Sequence, residues 1–337
     1  MHYFAWFATV STFFLIALGG LVTSHEAGMA VPDWPTSFGY NMFALPFDRW
    51  TGGVFWEHSH RVLASVVGLL TVILAVWIIV CDGRRWVKVL GVVAVIAVVI
   101  QGVLGGLRVT LIENQLGIFH GMLAQAFFLL LGVLVVVTSP AWLRGRWVVT
   151  RDAGGLRWEA LAVTGLIFLT LGIAATMRHA HAGLSIPDFP LAYGQVLPDT
   201  SAAALDQINA ERFEQKEKPT TAGLIWLQMA HRFVAVLIAF GVGWLAWRGG
   251  RVSRAVRLWT RVLVGMVIVQ IVLGAFTIWT NKAADVATAH MALGALTLFL
   301  SGLLTFRLMV MRHQWEARRL GDSDGQSAPS VSVVTAE

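Results

Sequence analysis

The chain is poor in cysteine and in charge, and each shortage removes a class of explanation. Cys81 is its one cysteine among 337 residues, so neither an intrachain disulfide nor a thiolate metal cage can form. Charged residues make up 13% against 57% hydrophobic, and the mean hydropathy of +0.70 lies outside the range of ordinary soluble domains. The first apolar run has no basic stretch before it and no small-residue cleavage site after it, which predicts a retained helix rather than a removed leader. The apolar runs show no inside/outside alternation, which excludes a β-barrel.

What is present is a series of runs long enough to cross a hydrocarbon core, a distance of roughly 20 helical residues. They lie near 4–24, 60–80, 89–107, 117–138, 158–176, 224–247, 259–279 and 286–310. This predicts an all-α integral membrane protein of eight transmembrane helices. Sixteen of the 25 Lys and Arg residues fall on one side: Arg84, Arg85 and Lys88; Arg144, Arg146, Arg151 and Arg157; five arginines over 248–261; and Arg307, Arg312, Arg318 and Arg319. Basic residues mark the cytoplasmic side, so both termini are expected there. The net charge of +6 is then topological, and no nucleic-acid partner is called for.

The sequence is written twice. Ala-Gly-Met-Ala-Val-Pro-Asp-Trp-Pro from Ala27 returns as Ala-Gly-Leu-Ser-Ile-Pro-Asp-Phe-Pro from Ala182. His60-Arg61 returns as His231-Arg232, Gln101-x-Val-Leu-Gly from Gln270, and His120 as His290. An even number of crossings per copy makes the repeats parallel, as two four-helix bundles, and disfavours an inverted-repeat transporter. The expected division is 1–150, 151–312 and a disordered cytoplasmic tail over 313–337. Two outward segments, about 25–56 and 177–222, open with the repeated proline stretch and supply aromatic residues for an interfacial cap. The polar insert from Asp199 to Lys218 suits a short surface helix.

His60, His120, His231 and His290 each fall near the start of an even-numbered helix, at one depth near the outer leaflet. Ionisable side chains within a membrane are costly, and four in register ask for a common cause. Zinc wants three or four protein donors, and copper sites recruit Cys or Met, neither of which is paired here. A macrocycle that already fills four positions on its iron needs only two axial imidazoles, so haem fits best. Arg61 and Arg232 follow two of these histidines and suit haem propionates at the same face.

The halves differ at one informative position: Glu57 in the first corresponds to Gln228 in the second. Residues three apart share a helix face, which sets Glu57 beside whatever His60 holds. A carboxylate can exchange a proton or stabilise positive charge, and an amide cannot titrate. The first half is therefore the candidate for chemistry and the second for a permanent cofactor. His25, His58, His179 and His181 have no matched partners and receive no role.

With Glu57-x-x-His60-Arg61, His231-Arg232, and His120 and His290 opening helices 4 and 8, the chain over about 1–310 resembles the haem A synthase family. The resemblance implies an oxidoreductase of the bacterial inner membrane that converts the C8 methyl of haem O to a formyl group by successive hydroxylations. It implies that His231 and His290 ligate a resident haem b relaying electrons, with Arg232 beside it. It further implies that His60, His120 and Arg61 border the haem O site and that Glu57 serves at the reacting methyl. Membrane lipid, the haem O-making farnesyltransferase and further copies of the chain are the partners that follow. Some members carry a Cys pair in the outward loops; this chain has none there. The competing reading is a di-haem b-type cytochrome in quinone-linked electron transfer, which accounts for four histidines but not for Glu57 in one half alone.

Overall fold

A computed structural model describes residues 1–144 and 153–323. Among them there are no strands, and eight helices are long and apolar enough to cross a membrane. These are α1 (His2–Ser24), α2 (Gly52–Cys81), α3 (Arg85–Thr110), α4 (Asn114–Val137), α6 (Ala153–His179), α8 (Ala222–Gly249), α9 (Arg254–Trp279) and α10 (Ala284–Ser323). Two short helices, α5 (Pro140–Leu143) and α7 (Ala202–Glu214), lie between them, and α7 falls inside the polar insert. The expected all-α membrane architecture is what the chain adopts.

Hydropathy placed the spans well and two of their ends less well. α2 begins at Gly52, eight residues before its apolar run, because Glu57 and His58 are buried under the preceding loop and continue the helix. α10 continues through the start of the predicted tail to Ser323. Glu316, Ala317, Arg318 and Leu320 are good helix formers, which favours the continuation. Arg146, Arg151 and 324–337 of the predicted tail lie outside the described residues.

Packing follows chain order. α1, α2, α3 and α4 pack in sequence, with α4 returning to α1; α6, α8, α9 and α10 do the same, with α10 returning to α6. A central layer joins the two sets, where α1 meets α10 and α4 meets both α6 and α10. Lipid offers no hydrophobic drive between helices, so close approach and interhelical hydrogen bonds must hold this layer. Phe13, Phe128 and Phe299 stack in turn across α1, α4 and α10. The ring of Phe299 lies against Gly132, where any Cβ would collide with it. Within the second set, Thr164 of α6 bonds Ser301 of α10 at 2.7 Å and Thr305 at 2.9 Å, contacts worth about 0.6 kcal/mol each in such bundles.

The ends of α1 and α6 meet, since Arg178 donates to the Gly20 carbonyl at 3.0 Å and to Ser24 Oγ at 2.6 Å. Ser24 also bonds Thr288 of α10. Both proline-containing loops therefore cap the same end of the bundle. They fold alike: Asp33 accepts from the amides of Phe38 and Gly39, and Asp188 from those of Tyr193 and Gly194. In each turn the aromatic residue and the glycine adopt positive φ. The carboxylate replaces the partners those turn amides would otherwise lack.

Candidate functional site

The four histidines sit one to three turns inside their helices at the loop end: His60 on α2, His120 on α4, His231 on α8 and His290 on α10. All four rings are half-buried, and in every one Nδ1 is buried without a hydrogen-bond partner. Nε2 is thus the nitrogen left accessible to a ligand. A backbone carbonyl of the preceding span lies beside each ring without reaching hydrogen-bond geometry at Nδ1: Leu15, Gln101, Thr170 and Gln270 respectively. Glycine lets three of the rings approach the neighbouring helix, with Cε1 3.0 Å from a Cβ built at Gly19 for His60. The corresponding distance is 3.3 Å at Gly105 for His120 and at Gly274 for His290.

The pairs are not equivalent. The His231 and His290 ring centres are 6.4 Å apart with planes crossed at 64°. Two imidazoles on one metal, each at about 2.0–2.1 Å, hold their ring centres roughly 6 Å apart, so this pair fits two axial donors to one haem iron. His60 and His120 lie close enough to act on each other electrostatically, but make no ring contact. No group of three His, Cys, Asp or Glu side chains gathers as a metal site among the described residues. Two-donor pairs suit a centre whose other ligands come with the macrocycle.

Glu57 is only 4% exposed, and both its oxygens are engaged. Oε2 accepts from the Val31 amide at 2.9 Å and Oε1 from Arg61 Nη2 at 2.6 Å. Gln228 does the matching work in the second half, accepting from the Ile186 amide at 2.7 Å. Arg61 also donates to the carbonyls of Val31, Asp33 and Thr36, and Arg232 to those of Asp188 and Leu191. The repeated His-Arg step therefore ties each capping loop to the helix that carries the histidine. Sequence reasoning assigned these arginines to propionates and did not find the loop carbonyls, which only the folded loop brings within reach.

Two of the unassigned histidines have local partners in the cap. His58 is fully buried, bonds Ser37 through Nδ1 at 3.1 Å and meets Trp50 edge-on. His25 stacks on Trp56. Asp33 outside the spans titrates below its ordinary value: burial pushes the carboxyl up, but bonds from Thr36, Gly39 and Phe38 outweigh it. Lys282 is pushed down, first by desolvation and then by the charge of Arg178.

Sequence reasoning also missed Arg108, Arg178 and His179, which converge at the loop end between the two sets of helices. The signal was available, because Arg108 and Arg178 stand at the outward ends of spans, against the run of basic residues on the opposite side.

Among the described residues, eight helices long and apolar enough to cross a membrane, with four half-buried histidines near one end, define an integral membrane protein. The model of the cytochrome oxidase assembly protein family matches residues 2–302, and the chain belongs to that family. It is 27% identical over 323 residues to the "Heme A synthase" of Lysinibacillus sphaericus, covering 92% of this chain and 95% of that protein. It is 26% identical over 345 residues to that of Geobacillus kaustophilus, covering 97% and 98%. Against the same-named protein of Nitrosomonas eutropha it is 25% identical over 336 residues, covering 88% and 89%. The chain is accordingly a multi-pass membrane protein of a bacterial type.

Proposed function

We propose that this chain is a haem A synthase, oxidising the C8 methyl of haem O to a formyl group. The observation that carries this reading is the spacing of the His231 and His290 rings, which suits a resident haem b in the second half. Bound there, haem b supplies the redox element that the side chains lack. His60 and His120 hold haem O in the first half by its iron, in the half that also carries Glu57.

Glu57 stands one turn from His60, its position fixed by the Val31 amide and by Arg61. In the proposed reaction this carboxylate takes the proton released as the methyl is oxidised, or stabilises the positive charge that develops there. Arg61 and Arg232 hold the capping loops over the two sites and so keep bulk water from the reacting face. Both termini lie in the cytoplasm and both sites face outward. The farnesyl tail of haem O runs into lipid from a site at that depth, which also suits direct transfer from the farnesyltransferase that makes it.

Expression in a host that makes haem O but no haem A tests the proposal. Haem A should appear in the extracted haems with the wild-type chain and disappear with His231→Ala. If the wild-type chain folds, retains haem and forms no haem A, the proposed activity is wrong.

A further inference from the structure

We infer that Arg108, with Arg178 and His179, forms a seat for a propionate carboxylate of the haem held by His60 and His120; the inference rests on the substrate-site reading above. Arg108 lies in the last turn of α3. Its guanidinium makes no hydrogen bond and no ion pair among the described residues, and its Nε is buried. Glu57 acts on it only from beyond pairing distance. An unpaired cation in this position is costly, and at a membrane-span end it points to a bound anion.

The side chains that close around it are the imidazole of His179 and a second cation, Arg178. A Cβ built at Gly117 would lie 2.6 Å from His179 Nε2 and 3.1 Å from Arg108 Nε, so the two side chains close on one point above the start of α4. A Cβ at Gly28 would lie 2.9 Å from Arg108 Nη2. The absence of side chains there gives the guanidinium its place between the first capping loop and α4. Arg178 lies within electrostatic reach of both Arg108 and His179. No carboxylate pairs with any of the three among the described residues, so their shared field favours an anion.

The duplication shows that this is not a packing requirement. The position matching Arg108 on α9 is Thr277, and the position matching Arg178 on α1 is Thr23. Both threonines bond back to carbonyls of their own helices. The cations therefore belong to one site, and they act electrostatically on its ligands: Arg108 on both His60 and His120. A planar guanidinium matches a carboxylate through two parallel bonds, and the porphyrin propionates are the carboxylates that a ligand on those histidines would carry.

The test is a titration of the purified protein, with its resident haem, using ferric haem and separately its dimethyl ester, followed by absorbance. Wild type should bind the diacid about tenfold or more tightly than the diester, Arg108→Gln should abolish that preference, and Arg108→Lys should keep part of it. Equal affinities for the two probes in the wild type would overturn the seat without any variant having to fold. A full preference retained in Arg108→Gln would overturn the assignment to Arg108. Titration of His60→Ala and His120→Ala separates the two levels: binding unchanged in both removes the substrate-site reading itself, whatever the ester comparison gives.

Discussion

The imidazoles of His231 and His290 face one another across α8 and α10 with ring centres 6.4 Å apart and planes crossed at 64°. Crossed axial planes on a low-spin ferric haem give a strongly anisotropic paramagnetic signal, whereas parallel planes give a rhombic one. The oxidised protein should show the anisotropic form in electron paramagnetic resonance, and His231→Ala and His290→Ala should each remove it. A rhombic signal would mean that the rings do not hold their crossed setting around the iron.

Gln228 supplies an internal control for Glu57. It shows that an amide at this position can accept from the loop amide one repeat along, so Glu57→Gln should preserve the cap while removing the titratable group. Haem A formation should fall by about a hundredfold or more, the scale of a lost proton-transfer group, with thermal stability close to wild type. Glu57→Ala should lose both activity and cap stability. Wild-type rates in Glu57→Gln would leave Glu57 as a loop clamp alone.

Two glycines on α3, one turn apart, should respond oppositely to the same change. A Cβ at Gly106 would run into the Trp34 indole, whereas a Cβ at Gly102 meets nothing within 4 Å. Gly106→Ala should destabilise the protein by about 1–3 kcal/mol through overpacking. Gly102→Ala should be neutral or slightly stabilising, because alanine favours helix. Thermal unfolding in detergent compares them directly, and equal midpoints would mean that Trp34 does not rest on α3.

The first capping loop should loosen in acid. Bonds from Thr36, Gly39 and Phe38 hold the folded Asp33 carboxyl below its ordinary value of 3.8 against the opposing effect of burial. Its contribution is therefore complete above that value and is lost as pH falls through the lower folded value. Amide protection of Phe38 and Gly39, corrected for intrinsic exchange, should drop below about pH 3.8 in the wild type and be low at every pH in Asp33→Ala. Protection unchanged in Asp33→Ala would show that the turn holds without its carboxylate.

Much of this was legible in the sequence because a bilayer imposes long apolar runs and the duplication marks equivalent positions. The eight spans and the positions of the four histidines on them came from those two signals. The start of α2 did not, because Glu57 and His58 are polar letters whose burial depends on the folded loop above them. For the same reason the partners of Arg61 and Arg232 were hidden: their acceptors are backbone carbonyls, which carry no sequence signature. Arg108 and His179 come together from α3 and α6, on different repeats, and repeat matching compares equivalent positions rather than contacts between copies.

The central claim is that the two histidine pairs differ, one holding a permanent haem b and the other an exchangeable substrate. Haem quantified per chain in protein purified from a host that makes only protohaem tests this most directly. The account predicts one tightly held haem b per chain, lost in His231→Ala and His290→Ala and retained in His60→Ala. Two haem b per chain, with one lost on replacing either pair, would contradict it and favour a di-haem electron carrier.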